Sequence, residues 1–299
     1  MKIAAIDLGT NTFHLIIAER SKHQLHILYK TNEPVRLGED ISKDNSIIPA
    51  AFARGMACLH AFKAILDTYQ VDKIRAVATS GVRSADNGIQ FINAVREATA
   101  IQIEVIDGDE EAELIYQGVK SSGAIHSKSL IMDIGGGSTE FIYCDQQQCY
   151  WKKSFDIGAA RLMQKFFHSD PINQADQHAL LTHLQTTLGE LLEFGKAFGA
   201  VQLIGSAGAF ETFSAMINPN LDIKTIASTP LDYDKYRLLS QRLIDSAHVE
   251  RLQMPNLIPL RVDMIVMACL QINFVMDDLK IKDLSLSTYD LKMGVLQQI

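Results

Sequence analysis

Three stretches in which apolar and polar positions alternate, 3–8, 13–19 and 25–30, open the chain and are separated by polar or glycine-containing turns. Period two is the spacing of a strand, so the three read as an antiparallel meander. The period then changes. Apolar positions at helical spacing run from 50 to 69 behind Pro49, whose fixed φ suits a first helical turn. A strand at 73–78, a loop, a helix at 89–98 begun near Asn87, a strand at 101–106 and a helix at 110–120 complete the block. Small polar residues at 121–129 make the best linker. Beyond it the order restarts, with strands at 130–134, 139–144 and 150–155 and helices at 159–167 and 174–198. A strand at 201–204, helices at 209–217, 233–246 and 262–278, a strand at 284–287 and a short last helix follow. Meander and strand–helix units, given twice, predict two similar α/β domains, 1–121 and 122–299, with a cleft between them. The last helix is free to pack back on the first domain.

A length of 299 residues leaves room for two such domains. A hydrophobic fraction of 47% beside 21% charged residues excludes disorder over most of the chain. The formal charge of −7 argues against nucleic acid as a partner, because phosphate neutralisation needs clustered positive charge. No apolar run approaches the ~18 residues that cross a bilayer. Asp7 interrupts the first apolar run, which is therefore no signal peptide. Cys58, Cys144, Cys149 and Cys269 form no CxxC pair and read as free thiols, so no membrane partner and a cytoplasmic address are expected.

The chemistry lies in a repeat. Ile6-Asp7-Leu8-Gly9-Thr10-Asn11-Thr12 can be laid on Met132-Asp133-Ile134-Gly135-Gly136-Gly137-Ser138. Each has an aspartate at the end of an apolar strand, then a turn of small and hydroxylic residues, then another apolar strand. Glycine lets a backbone come close to a ligand, and successive N–H groups in such a turn form an anion-binding concavity. An aspartate there would repel a bare phosphate, but suits a hydrated Mg²⁺ that bridges carboxylate to phosphate oxygens. Either copy alone could be a plain hairpin turn. Two copies point to phosphate and metal.

Glu111 falls with Leu114, Ile115 and Gly118 on the apolar side of its helix, while Glu110 and Glu113 point away. An inward carboxylate is placed for acid–base work; acid at a helix start is also favoured by the macrodipole, which accounts for Asp109 and Glu110. His14, on a strand after the first turn, could reach phosphate but reads first as core or edge packing, and Met254, Met264, Met267 and Met276 read as helix core.

AIDLGTNTFHLII and MDIGGGSTEFI resemble the two phosphate motifs of the Ppx/GppA family, exopolyphosphatases and guanosine pentaphosphate phosphohydrolases. ATSGVRSADNG (78–88), GDEEAELIYQGV (108–119), IGSAGAFETFSAM (204–216), LRVDMIV (260–266) and STYDLKMGVL (287–296) stand in the family's order. The resemblance implies two ribonuclease-H-like domains of the actin, acetate kinase and heat-shock chaperone superfamily. It implies release of terminal phosphate from polyphosphate or from pppGpp, with Mg²⁺ or Mn²⁺ as cofactor. Glu111 matches the general base. Gly9, Thr10, Asn11, Thr12, Arg83, Gly135, Gly136, Gly137, Ser138 and Thr139 match phosphate-binding positions. Asp7, Asp133 and Glu140 match metal-site groups, acting directly or through water, although strand alternation could put Glu140 in solvent. Gly205, Ser206, Gly208 and Arg261 match a nucleotide or distal-phosphate site, with a salt bridge from Arg261 to Asp263 as the structural alternative. Ala209 departs from the family's usual threonine and puts nucleotide contacts at that turn in doubt. The C-terminal helical region of longer members is not seen in this sequence, which favours short polyphosphate or a nucleotide. An ATP-dependent small-molecule kinase and an actin-like nucleotide-binding regulator are the alternatives, and a homodimer is one option for assembly.

Overall fold

A computed structural model describes residues 1–22, 24–40 and 45–299. The chain divides into two compact units, Met1–Gly118 with Leu291–Ile299, and Val119–Asp290.

In the first unit β1 (Lys2–Leu8), β2 (Phe13–Ser21) and β3 (Gln24–Glu33) form the antiparallel meander that the alternation predicts. Helix α1 (Pro49–Tyr69) begins on Pro49 and ends on Gln70 in the left-handed region. Its buried face meets α3 (Gly88–Thr99) at Gly55, where a Cβ would lie 2.7 Å from the Phe91 ring. β4 (Lys73–Ala78) joins β1 in parallel and β5 (Ile103–Val105) joins β4, giving the order β3-β2-β1-β4-β5 among the described residues. Ile3, Ala4, Ala5, Ile6 and Leu8 of the central strand are fully buried, as expected of a strand covered on both faces. The predicted loop after β4 contains one helical turn, α2 (Ser80–Arg83). Helix α4 (Gly108–Ser121) starts behind Asp107, whose carboxylate accepts from the Glu110 N–H at 2.8 Å in the manner of an N-cap.

The second unit repeats the plan. β6 (Ser129–Ile134), β7 (Thr139–Cys144) and β8 (Cys149–Phe155) form a second antiparallel meander, followed by α5 (Ala159–Phe166). The helix expected over 174–198 is two helices, α6 (Gln174–Thr187) and α7 (Gly189–Phe198), broken at Leu188. Glycine at 189 weakens the helix there, and the bend keeps Leu184, Leu188 and Leu191 all in the core. β9 (Gln202–Ser206) runs parallel to β6 and leads into α8 (Gly208–Ile217). The unpredicted β10 (Ser228–Leu231) precedes α9 (Tyr233–Asp245) and α10 (His248–Arg251). Helix α11 (Met264–Leu279) carries ten buried residues through the core. β11 (Asp283–Ser287) pairs in parallel with β9, and β10 caps its outer edge, where Pro230 is tolerated. The order β8-β7-β6-β9-β11 matches the first sheet, with β10 added. Both units are therefore ribonuclease-H-like, the actin-like domain predicted twice. The last helix, α12 (Leu291–Gln298), belongs to the first unit, where Gly294 sits against the Leu114 carbonyl of α4 with no room for a Cβ. No helix among the described residues is long and apolar enough to cross a membrane.

Candidate active site

In the first unit Asp7 is the penultimate residue of β1 and is 9% exposed. The Gly9 N–H closes the following turn on the Thr12 carbonyl at 3.2 Å. The next two carbonyls are taken from outside the turn, Thr10 by the Gly38 N–H at 2.9 Å and Asn11 by the Arg36 N–H at 2.7 Å. Gly81 of α2 lies under Thr10, where a Cβ would stand 2.8 Å from the Thr10 Cα. Arg36 carries a left-handed backbone (φ 51°), and Arg54 holds the carbonyls of Val35 at 2.7 Å and Arg36 at 3.2 Å. The turn is thus clamped from two sides.

The second turn is built the same way. Gly135 N–H closes on the Ser138 carbonyl at 3.0 Å. The first residues of α5 take the rest: Ala159 N–H donates to Gly135 at 2.9 Å, Ala160 and Arg161 N–H to Gly136 at 3.0 and 3.1 Å, and Gly158 N–H to Gly137 at 3.2 Å. The Arg161 Nε adds a bond to the Gly137 carbonyl at 3.0 Å. All four turn carbonyls accept. The N–H groups of Gly136, Gly137 and Ser138 donate to no acceptor among the described residues. Peptides whose carbonyls are tied on one side present their amides on the other, which is the arrangement that binds an anion.

Asp133 and Glu140 are register partners on β6 and β7, exposed by only 7% and 1%. The solvent-facing alternative for Glu140 is thereby corrected. Strand β7 lies inside the sheet and is buried on both faces, so alternation does not apply to it. Asp133 Oδ2 accepts from the Ser206 hydroxyl and Glu140 Oε1 from the Ser154 hydroxyl, each at 2.7 Å. Two opposed carboxylates on one face repel, and a hard cation relieves that repulsion. Among the described residues no group of three or more His, Cys, Asp and Glu could hold a metal ion by itself. The pair therefore fits Mg²⁺, which is commonly held by one or two carboxylates and completes its shell with water and substrate oxygens.

Glu111, 6% exposed, lies on the buried side of α4 as the helical spacing predicts. Arg83 Nη1 donates to Glu111 Oε2 at 2.9 Å and to the Ile106 carbonyl at 2.8 Å. Sequence reasoning assigned Arg83 to phosphate; its nearest charged partner here is the candidate base. Its side chain keeps 24% exposure.

The third group is the turn of Gly205, Ser206 and Gly208 at the end of β9. Arg261 packs its guanidinium directly on Gly208, donates to the Thr212 hydroxyl at 2.7 Å and lies 3.8 Å from Glu211. Burial pulls its pKa below the ordinary arginine range, and Glu211 partly offsets that. The alternative of an Arg261–Asp263 bridge does not hold. Asp263 pairs with the fully buried Arg251 and with His248, each at 2.8 Å. Ala207 has φ 64° and ψ −173°, a region that glycine favours and a side chain strains. Ser154, Arg36, Gly38 and Gly158 escaped the sequence reading. Their roles follow from register and loop packing, for which the only sequence signal was the glycines themselves.

Comparison with known proteins supplies the family. The sequence profile described as the Ppx/GppA phosphatase family matches residues 16–299. A protein of Haemophilus influenzae described as a candidate exopolyphosphatase is 27% identical over 299 residues, covering 100% of this chain and 91% of that one. A guanosine-5'-triphosphate,3'-diphosphate pyrophosphatase of Aliivibrio fischeri is 28% identical over 256 residues, covering 85% of this chain and 50% of that protein. The chain thus spans about half the length of that relative. It spans 33% of a bifunctional 3-dehydroquinate synthase/phosphatase of Fusobacterium nucleatum, which is 37% identical over 221 residues, 70% of this chain. The crystal structure of an exopolyphosphatase from Cytophaga hutchinsonii superposes with a TM-score of 0.96 at 35% identity, covering 100% of this chain and 97% of that one. The chain belongs to the Ppx/GppA phosphatase family.

Proposed function

We propose that the protein is a phosphohydrolase that releases terminal phosphate from phosphoanhydrides, acting on inorganic polyphosphate or converting pppGpp to ppGpp. The observation that carries this reading is the repeated aspartate-tipped turn, with its carbonyls tied back. Relatives named for exopolyphosphatase and for guanosine pyrophosphatase activity support it. A cytoplasmic setting suits such substrates and the four free thiols.

In the reaction Glu111 takes a proton from a water molecule whose oxygen forms a bond to the terminal phosphorus. The bond from that phosphorus to the bridging oxygen breaks, and the shortened chain leaves with the electron pair. Arg83 holds the Glu111 carboxylate in place until the proton arrives. The amides of Gly136, Gly137 and Ser138 hold phosphate oxygens, and Thr10, Asn11 and Thr12 add side-chain donors, while the buried Thr139 hydroxyl donates to Gln271 and the Ile157 carbonyl instead. Gly9 and Gly135 permit the tight closures. Asp133 and Glu140, and at the first turn Asp7, are the carboxylates that would hold Mg²⁺ or Mn²⁺. When bound, that ion neutralises charge on the phosphate oxygens. Arg261, at the turn of Gly205, Ser206 and Gly208, is the cation for a distal phosphate or a nucleotide.

The test is phosphate release from polyphosphate and from pppGpp with Mg²⁺, for the wild type and Glu111→Gln. Loss of a general base costs about 10²–10⁴-fold in turnover. A folded Glu111→Gln variant with wild-type turnover sinks the assignment, and an inactive wild type sinks the reading.

A further inference from the structure

We propose that the Ser80 hydroxyl is a substrate-binding group that donates a hydrogen bond to a phosphate oxygen of the anion held at the first turn. The proposal rests on the phosphohydrolase reading and adds to it a contact from a residue to which the sequence analysis gave no role.

Ser80 is 2% exposed, and its hydroxyl oxygen is buried with no hydrogen-bond partner in the structure. A buried hydroxyl left unpaired costs stability, and each such group in a native structure calls for an explanation. The neighbourhood says which function. Ser80 follows β4, whose last residue, Ala78, is the register partner of Leu8. It therefore stands at the carboxyl ends of β1 and β4, the end at which open α/β sheets present ligands. The adjoining Gly81 is pressed against Thr10, a donor of the first turn. The main chain at Ser80 is fixed, with Ser84 N–H donating to its carbonyl at 3.0 Å. Ser80 and Arg83 are three residues apart on one helical turn and so share a face, and Arg83 reaches the Glu111 carboxylate from that turn. A neutral hydroxyl donor beside the first turn, on the side of the base, suits an anionic oxygen. It binds without adding a charge that would compete with Arg83 for Glu111.

The experiment compares Ser80→Ala with the wild type in tripolyphosphate hydrolysis and thermal melting. It also compares Glu111→Gln with Glu111→Gln/Ser80→Ala in calorimetric binding of tripolyphosphate. The expected result is an unchanged or raised melting temperature, a KM about tenfold higher with kcat within about threefold, and binding about tenfold weaker in the double variant, the effect of one bond to a charged acceptor. A lower melting temperature for Ser80→Ala means that the hydroxyl already has a protein partner, and overturns the proposal. Equal binding by the two Glu111→Gln proteins, with an active wild type, overturns the Ser80 contact and leaves the phosphohydrolase reading standing. A wild type that releases no phosphate and binds no tripolyphosphate overturns both.

Discussion

After β1, the Gly9 N–H closes on the Thr12 carbonyl and Asp7 faces His14 across the sheet; after β6, Gly135 closes on Ser138 and Asp133 faces Glu140. The closures are alike because the same meander forces the same bend. The cross-strand partners are not alike. An aspartate opposite a histidine can be neutral or attractive, whereas an aspartate opposite a glutamate repels until a cation arrives. The donors differ as well. The first turn offers side chains at Thr10, Asn11 and Thr12, and the second offers the peptide N–H groups of two glycines and a serine. On the proposed function, the second turn is the one whose cross-strand pair calls for a positive ion, and the first relies more on hydroxyl and amide side-chain donors.

Exchanging the partners breaks the comparison most directly. Glu140→Gln removes the repulsion and one proposed ligand together. Its phosphate release should fall about 10–100-fold, with a higher Mg²⁺ requirement, while its melting temperature without metal rises. His14→Gln should stay within about fivefold in release, with an unaltered Mg²⁺ dependence. Metal titrations of both variants decide the matter, and equal losses would end the distinction between the turns.

The clamps supply a smaller test. A Cβ at Gly158 meets the backbone of Gly136 and Gly137, which cannot step aside without moving the turn. At Gly38 the first obstacle is the Thr10 methyl, a side-chain end that can rotate away. Gly158→Ala should cost about 1–3 kcal/mol in chemical denaturation, with weakened tripolyphosphate binding. Gly38→Ala should cost distinctly less. A reversed order would mean that the first turn is the more rigid one.

Most of this architecture was legible in the chain because strand and helix periods are local. Phe13 and Thr139 begin strands where alternation placed them, and Gly9 and Gly135 mark the bends. What escaped depends on contacts distant in sequence. Strand β10, with the sequence STPL, carries no strand-like pattern and exists because β11 leaves an edge open. The break at Leu188 serves the core that both helices share. Glu140 could be assigned to metal only through the resemblance. Its burial, and the Ser154 hydroxyl that holds it, require the register of three strands at once. The contact of Arg83 with Glu111, 28 positions along the chain, escaped as well, because nothing local announces it.

The two units also differ in how they hold a guanidinium, and pH separates them. Arg83 faces one carboxylate, Glu111. Arg251, fully buried, faces two, Asp170 and Asp263, and His248 bonds to Asp263 as well. Burial alone would raise the pKa of Asp263, but the bonds from His248 and Arg251 outweigh it and hold the carboxyl below its ordinary value of 3.8. A carboxylate whose folded pKa is depressed stabilises the fold above its unfolded pKa. That contribution is lost as the pH falls from about 4 through the lower native value. Asp263 is 35% exposed, so solvent screening limits the effect to about 1 kcal/mol. Asp263→Asn should therefore melt lower than the wild type at pH 7, with a gap that narrows below pH 4. A gap that stays constant down to pH 3 would show that Asp263 acts through packing rather than charge, and the second unit's network would then differ from the Arg83–Glu111 pair in size alone.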